Sequence, residues 1–235
     1  MDYNFFIIFM ESNTIFTLII LKATRFGMQQ LQEISDRLIA TTSRRFRRSL
    51  YDSINWNNAL IEIRGARGTG KTTLMLQRAR VLREAGGQVL YVSADHAWFY
   101  KNALVELADW FFKYGGEYLF VDEVHRYPQK VKGLDWSQEL KNIMDAYPGL
   151  HVVYSGSSIL RLYQGSGDLS RRRASYHLSG LSFREFLMLE TDEEFAKISL
   201  DDIWHKHRQL SHEIIVRIKI LPWFARYLQY GYYPF

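Results

Sequence analysis

Gly65-Ala66-Arg67-Gly68-Thr69-Gly70-Lys71-Thr72 fits the spacing G-x-x-x-x-G-K-[ST] without a gap. Glycines there let the backbone turn its N–H groups inward. A helix starting at the end of the run aims its positive pole at the same point, which suits a chain of phosphates. Lys71 is expected to reach the β- and γ-phosphates of a nucleoside triphosphate, and the Thr72 hydroxyl to hold Mg²⁺. The whole run, with Thr73, lines the site. The competing reading is a glycine-rich turn without a ligand. An apolar strand before the loop and a helix after it favour the phosphate reading.

A second constellation follows. Tyr118-Leu119-Phe120-Val121 reads as a buried strand that ends in Asp122-Glu123. A carboxylate at the C-terminal end of a parallel strand lies over the ligand-binding edge of the sheet. Asp122 there is expected to hold Mg²⁺ through water, and Glu123 to orient or deprotonate the attacking water. Further on, Tyr154-Ser155-Gly156-Ser157-Ser158 offers hydroxyls, with Ser155 and Ser157 both candidates to report the γ-phosphate. Ordinary N-cap serines in a turn would read the same way. Arg171-Arg172-Arg173 could supply a transition-state cation within the chain or to a neighbouring copy, or be a solvated cluster. His205, His207 and His212 with Glu213 resemble metal ligands, but on a helix positions 205 and 207 point about 200° apart and cannot share an ion.

The elements that must position these residues can be read from periodicity. Met28, Leu31, Ile34, Leu38 and Ile39 recur at helical spacing, and Arg44-Arg45-Phe46-Arg47-Arg48 follows, expected to be a solvated helical face rather than a phosphate or nucleic-acid patch. Strands are expected at 59–63, 88–92, 117–121 and 151–154, with a fifth at 176–178. Helices are expected at 72–85, 102–113 and 137–146. Such alternation implies a parallel sheet with right-handed crossovers. After Gly180 the pattern turns helical: 182–189, then 200–220 opened by Ser199 with Asp202 in a capping arrangement, then a helix started by Pro222 and ending near Gly231.

The composition sets bounds. The chain has 235 residues, 47% of them apolar, no cysteine and a formal charge of +5. That leaves no disulfide or thiolate metal site and suits a reducing cytoplasm. The mild basic excess permits contact with nucleic acid or anionic lipid without requiring it. Residues 1–27 form an atypical extension in which the apolar runs Phe5–Met10 and Ile15–Leu21 are split by Glu11-Ser12-Asn13-Thr14. Charge in mid-span argues against a membrane helix, and Asp2 with no early Lys or Arg argues against a signal peptide. A working start at Met28 is the first expectation, ahead of a buried or oligomer-forming strand pair and of a membrane anchor.

Together the motif around Gly65–Leu74, Leu119-Phe120-Val121-Asp122-Glu123-Val124-His125 and Ser155–Ser158 resemble the predicted AAA-type ATPases of bacteria and archaea. Leu181-Ser182-Phe183-Arg184-Glu185-Phe186-Leu187 is similar to that family's signature after the ATPase core, and Tyr227–Pro234 to its next landmark. The resemblance implies an α/β parallel-sheet P-loop NTPase fold of the ASCE type, related to the STAND ATPases, with a core at 28–180 and a small helical lid beginning a C-terminal region at 181–235. It assigns Lys71 and Thr72 to Walker A, Asp122 and Glu123 to Walker B, and Ser155–Ser158 to the first sensor. Arg172 falls at the family's arginine, although the glycine usual before it is Arg171 here. Family chains continue past the last landmark into a winged helix and a further domain, which implies that this sequence is a truncation, a split gene or a partial chain.

The expected activity is Mg²⁺-dependent binding and hydrolysis of ATP to ADP by an ATP-driven switch. The alternatives are a nucleotide-gated binding module with little hydrolysis, a DNA-dependent AAA-type motor or loader, and a metabolite kinase, which a hydrolytic Glu123 disfavours. A homo-oligomer and a nucleic-acid or protein client are open partners; a membrane partner is not expected.

Overall fold

The computed structural model describes residues 27–128, 135–157 and 167–233. Most of the expected N-terminal extension, Ser158 and Pro234 lie outside them. Five strands, β1 (Leu60–Gly65), β2 (Val89–Ser93), β3 (Tyr118–Asp122), β4 (His151–Ser157) and β5 (Ala174–His177), form one sheet in the order β2-β3-β4-β1-β5. Every pairing is parallel, as the alternation of strands and helices requires. Side chains alternate between two buried faces. Leu90, Val92, Leu119, Val121, Val152 and Tyr154 pack on one, while Val89, Tyr91, Phe120, Val153, Ile61 and Ile63 pack on the other.

The first face is covered by α3 (Leu104–Lys113) and α4 (Trp136–Ala146), through Leu104, Leu107, Phe111, Leu140 and Ile143. Helix α4 is started by Asp135, whose carboxylate accepts from the backbone N–H groups of Ser137 and Gln138. The second face is covered by α2 (Lys71–Glu84), whose Leu74, Met75 and Ala79 are fully buried. A helix over residues 27–41 (α1) lies along the outer strand. Its buried Ser35 hydroxyl accepts the Tyr91 N–H at 2.8 Å, satisfying a donor that the sheet edge would otherwise leave open.

Two expectations are corrected here. Strand β4 runs on to Ser157 because it pairs with β1 as far as Gly65, so Ser155 and Ser157 are strand residues and not part of a turn. Residues 44–48 are not helical, and Arg48 is buried in place of lying on a solvated face.

Past the sheet come α5 (Gly167–Arg172), which precedes β5, and then α6 (Phe183–Thr191), α7 (Leu200–Arg217) and α8 (Ile220–Tyr230). Ser182 and Glu185 cap α6 reciprocally. Phe183 of α6 meets Phe224 of α8 edge-on, Phe183 and Phe186 both pack at a tilt against Tyr227 of α8, and the Tyr227 hydroxyl donates to the Leu181 carbonyl at 2.7 Å. The helix expected over 200–220 stops at Arg217, where Ile218 turns to extended backbone and packs with Leu187 and Phe195. No helix among the described residues is long and apolar enough to cross a membrane.

Candidate functional site

The loop between β1 and α2 has the shape its glycines predict. Gly68 and Gly70 have φ of 83° and 90°, a region that costs other residues strain. A Cβ on Gly65 would collide with the Leu178 carbonyl oxygen and the Thr69 hydroxyl, so the close approach of the loop to the segment that follows β5 needs glycine. Gly70 caps α2 without a side-chain bond, which leaves the first-turn N–H groups of the helix facing outward as an anion site. Lys71 folds back over the loop, donating to the carbonyls of Gly65 at 3.0 Å and Ala66 at 2.9 Å. Burial pushes its ammonium below the ordinary lysine range, opposed by the carboxylates of Glu123 and Asp122. A cavity of about 640 Å³ opens from the loop. Arg67, Gly68, Gly70, Lys71, Thr72, Thr73 and Glu123 line one part of it. Phe46, Leu74 and Leu189 are its apolar lining residues, and Gln77, Arg45, Arg48 and Arg126 belong to the same wall. Gln77 donates to the carbonyls of Ser43 and Phe46, at 3.0 and 2.8 Å, and thereby fixes that wall.

Asp122 ends β3 at 2% exposure, with both carboxylate oxygens accepting hydrogen bonds. Its Oδ2 accepts from the Thr72 hydroxyl at 2.5 Å and the Tyr91 hydroxyl at 2.7 Å. Its Oδ1 accepts from the Glu123 N–H at 3.0 Å and from the Ser155 hydroxyl. Burial, and then the neighbouring Asp122 carboxylate, push the Tyr91 phenol far above its usual range, so it is a fixed donor. A carboxylate beside a hydroxyl supplies the hard oxygen donors that Mg²⁺ takes; Thr72 lines the cavity and Asp122 is bonded directly behind it. No cluster of three or more His, Asp or Glu suited to a metal occurs among the described residues.

Glu123 has φ 54°, ψ 40°, a left-handed conformation that is uncommon for a non-glycine residue. Its N–H is shared between Asp122 Oδ1 and the Ser155 hydroxyl, 3.0 Å from each, and these bonds hold the turn. Strain of this kind gathers at functional sites. The carboxylate meets His125 at 3.3 Å and Arg126 at 3.4 Å, and Arg126 also reaches Asp95 at 3.3 Å.

The structure therefore brings together Lys71, Thr72, Asp122, Glu123 and Ser155. It does not bring Arg172 to them within one chain. Arg172 precedes β5, whose first residue Ala174 pairs with Ile61 at the start of β1, and it is bonded to Asp145 at the end of α4. That is the edge of the sheet opposite the phosphate loop. Arg173 turns inward to Glu62 at 3.4 Å and to the Tyr154 hydroxyl at 3.3 Å. Sequence reasoning missed Tyr91, Arg126 and Arg48. The hydroxyl in the otherwise apolar Val89-Leu90-Tyr91-Val92 was the one available signal for the first, since a buried tyrosine needs a partner.

A family model described as an AAA domain matches residues 57–187, over half of the chain. Among solved structures, AMPPCP-bound DnaA from Aquifex aeolicus aligns at 18% identity over 76% of this chain and 62% of that one, with a TM-score of 0.42. DnaA bound to AMPPCP and single-stranded DNA aligns at 19% identity over 82% and 67%, with a TM-score of 0.46. C. elegans PCH-2 aligns at 18% identity over 79% and 53%, with a TM-score of 0.42. The chain thus spans less than two thirds of the first and third of these. No curated protein matches.

Proposed function

The chain belongs to the AAA domain family, and on that premise we propose that it binds ATP with Mg²⁺ and hydrolyses it, acting as a nucleotide-driven switch. The observation that carries this reading is the junction of two separate motifs: the Thr72 hydroxyl bonds Asp122 at 2.5 Å, with Glu123 next in the chain and lining the same cavity.

In this reading the triphosphate lies along Gly65–Thr72, held by the loop N–H groups, the α2 N-terminus and Lys71. Lys71 leaves the carbonyls of Gly65 and Ala66, and its desolvated ammonium meets the phosphates. The base extends toward Phe46 and Leu189. Thr72 and Asp122 would hold Mg²⁺, which neutralises charge on the transferring phosphoryl group. Glu123 accepts a proton from the attacking water and keeps it aimed at the γ-phosphate. Ser155, bonded to both Asp122 and the Glu123 N–H, fixes the relative orientation of the two acids. Arg172 would act only across an interface between copies, because it lies at the far edge of its own sheet. Helices α6–α8 would serve as a lid, since Leu189 of α6 lines the cavity.

Steady-state phosphate release from ATP by the purified chain tests the proposal. Release that needs Mg²⁺ and disappears in Lys71→Ala supports it. Binding of ATP without release in the wild type would turn the reading to a nucleotide-gated module.

A further inference from the structure

Tyr91 lies on β2, one strand away from the acidic pair, and its ring is packed in the core with Phe120 and Leu74 at 4% exposure. It does not line the cavity. Its backbone is held from outside the sheet by Ser35 of α1. Its hydroxyl is the one part of the side chain with polar work to do, and it donates to Asp122 Oδ2 at 2.7 Å.

We propose that Tyr91 is a positioning residue for the divalent-cation site, pinning the Asp122 carboxylate from the core side so that the cation meets it already oriented beside Thr72. The inference rests on the Mg²⁺–ATP reading of that site. Of the four donors to Asp122, Thr72 at the start of α2 and the Glu123 N–H belong to residues that line the cavity, while Ser155 of β4 is fully buried and reaches only Oδ1. A nucleotide in the cavity would lie against Thr72 and Glu123. A threonine hydroxyl that gives a lone pair to a cation can still donate its proton to Asp122, but it is then committed to two partners at once. The phenol reaches Oδ2 from strand β2, outside the cavity lining, with the Thr72 hydroxyl beside it. Without it, rotation about the terminal torsion of Asp122 is opposed on the Oδ2 side by Thr72 alone, and that torsion is intrinsically broad. A site whose ligands are not held by their outer partners binds its metal less tightly.

The test is Tyr91→Phe in the full chain, which removes one oxygen and keeps the packed ring. ATP binding is measured by calorimetry in EDTA and over a Mg²⁺ titration, with the thermal transition recorded alongside. The half-saturating Mg²⁺ concentration should rise about tenfold, as expected for losing a hydrogen bond to a charged group, while affinity in EDTA stays within about twofold. In an Asp122→Asn background the same change should add nothing, because the phenol acts through that carboxylate. An unchanged Mg²⁺ requirement overturns the proposal. So does a loss of equal size in EDTA and in Mg²⁺, or an equal loss in the Asp122→Asn background, since each assigns the phenol to packing. If wild-type protein binds ATP without any gain from Mg²⁺, this proposal falls together with the Mg²⁺ reading of the site. If Mg²⁺ strengthens wild-type binding and Tyr91→Phe leaves that gain intact, this proposal alone falls.

Discussion

Arg48 and Glu185, 137 residues apart, form an ion pair with side chains only 8% and 7% exposed. The guanidinium also donates to the carbonyls of Thr69 in the phosphate loop, and of Ser179 and Gly180 after β5. The carboxylate in turn accepts the Ser49 N–H at 2.8 Å and the Ser182 N–H at 3.0 Å. One buried pair thus ties the phosphate loop to the start of α6. Breaking it by Arg48→Ala should cost about 3–5 kcal/mol, the usual result of stranding a buried charge. Urea unfolding checks this, and a loss below about 1 kcal/mol would mean the pair is no more than a surface contact.

The same pair sets a pH dependence. Burial alone would raise the Glu185 carboxyl, but Arg48 and the backbone donors outweigh it and hold the group down at about 2, below its ordinary 4.5. A depressed folded-state value contributes stability that is complete above the ordinary value and is lost as pH falls from about 4.5 toward 2. Stability of the wild type should therefore fall across that window, and Glu185→Gln, already weakened at neutral pH, should fall less. Parallel curves for the two proteins would contradict the assignment.

Gly65→Ala should damage the loop without touching a charge. The added methyl meets the Leu178 carbonyl, a backbone atom that cannot swing aside. The expected cost is about 1–3 kcal/mol of stability, in the range of overpacking, together with weaker nucleotide binding. Melting and calorimetry of the variant would show both.

Arg172→Ala tests the role across an interface. Its bond to Asp145 is largely exposed, with side chains 45% and 48% accessible. The substitution should therefore change stability by no more than about 1 kcal/mol. If the arginine completes a neighbour's site, turnover should drop at least about tenfold with ATP affinity retained. Mixing this variant with Glu123→Gln, each impaired alone, should restore part of the activity. Wild-type turnover in Arg172→Ala would remove the residue from the mechanism.

What could be read from the sequence follows from how local each signal is. The phosphate loop, β3 and the acidic pair at its end are contiguous, and each carries its own chemistry in order: glycines, a lysine, an apolar run, two acids. The sheet followed from the alternation of such segments. Arg48 could not be read that way. Within Arg44–Arg48 it has the composition of its neighbours, and its burial is decided by Glu185 in a distant helix. Tyr91 likewise depends on Asp122 across a strand register. The end of α7 at Arg217 carries no glycine or proline; it is imposed by the packing of Ile218 against Leu187 and Phe195, a tertiary contact that overrides local periodicity. Arg172 could be placed in a family pattern, but which edge of the sheet it occupies became visible only in three dimensions.

In the proposed mechanism Glu123 is the base of a hydrolytic site whose nucleotide binding is carried by other residues. Glu123→Gln keeps the side chain's size and an acceptor oxygen while removing its basicity, and it leaves the loop, Lys71, Thr72 and Asp122 unaltered. ATP turnover, followed as phosphate release at saturating Mg²⁺–ATP, should fall by about 10²–10⁴, the contribution of a positioned general base. The ATP dissociation constant should stay within about threefold, because none of the phosphate-binding groups changes. Turnover at the wild-type rate with binding intact would contradict the account and leave the acidic pair with a structural role only.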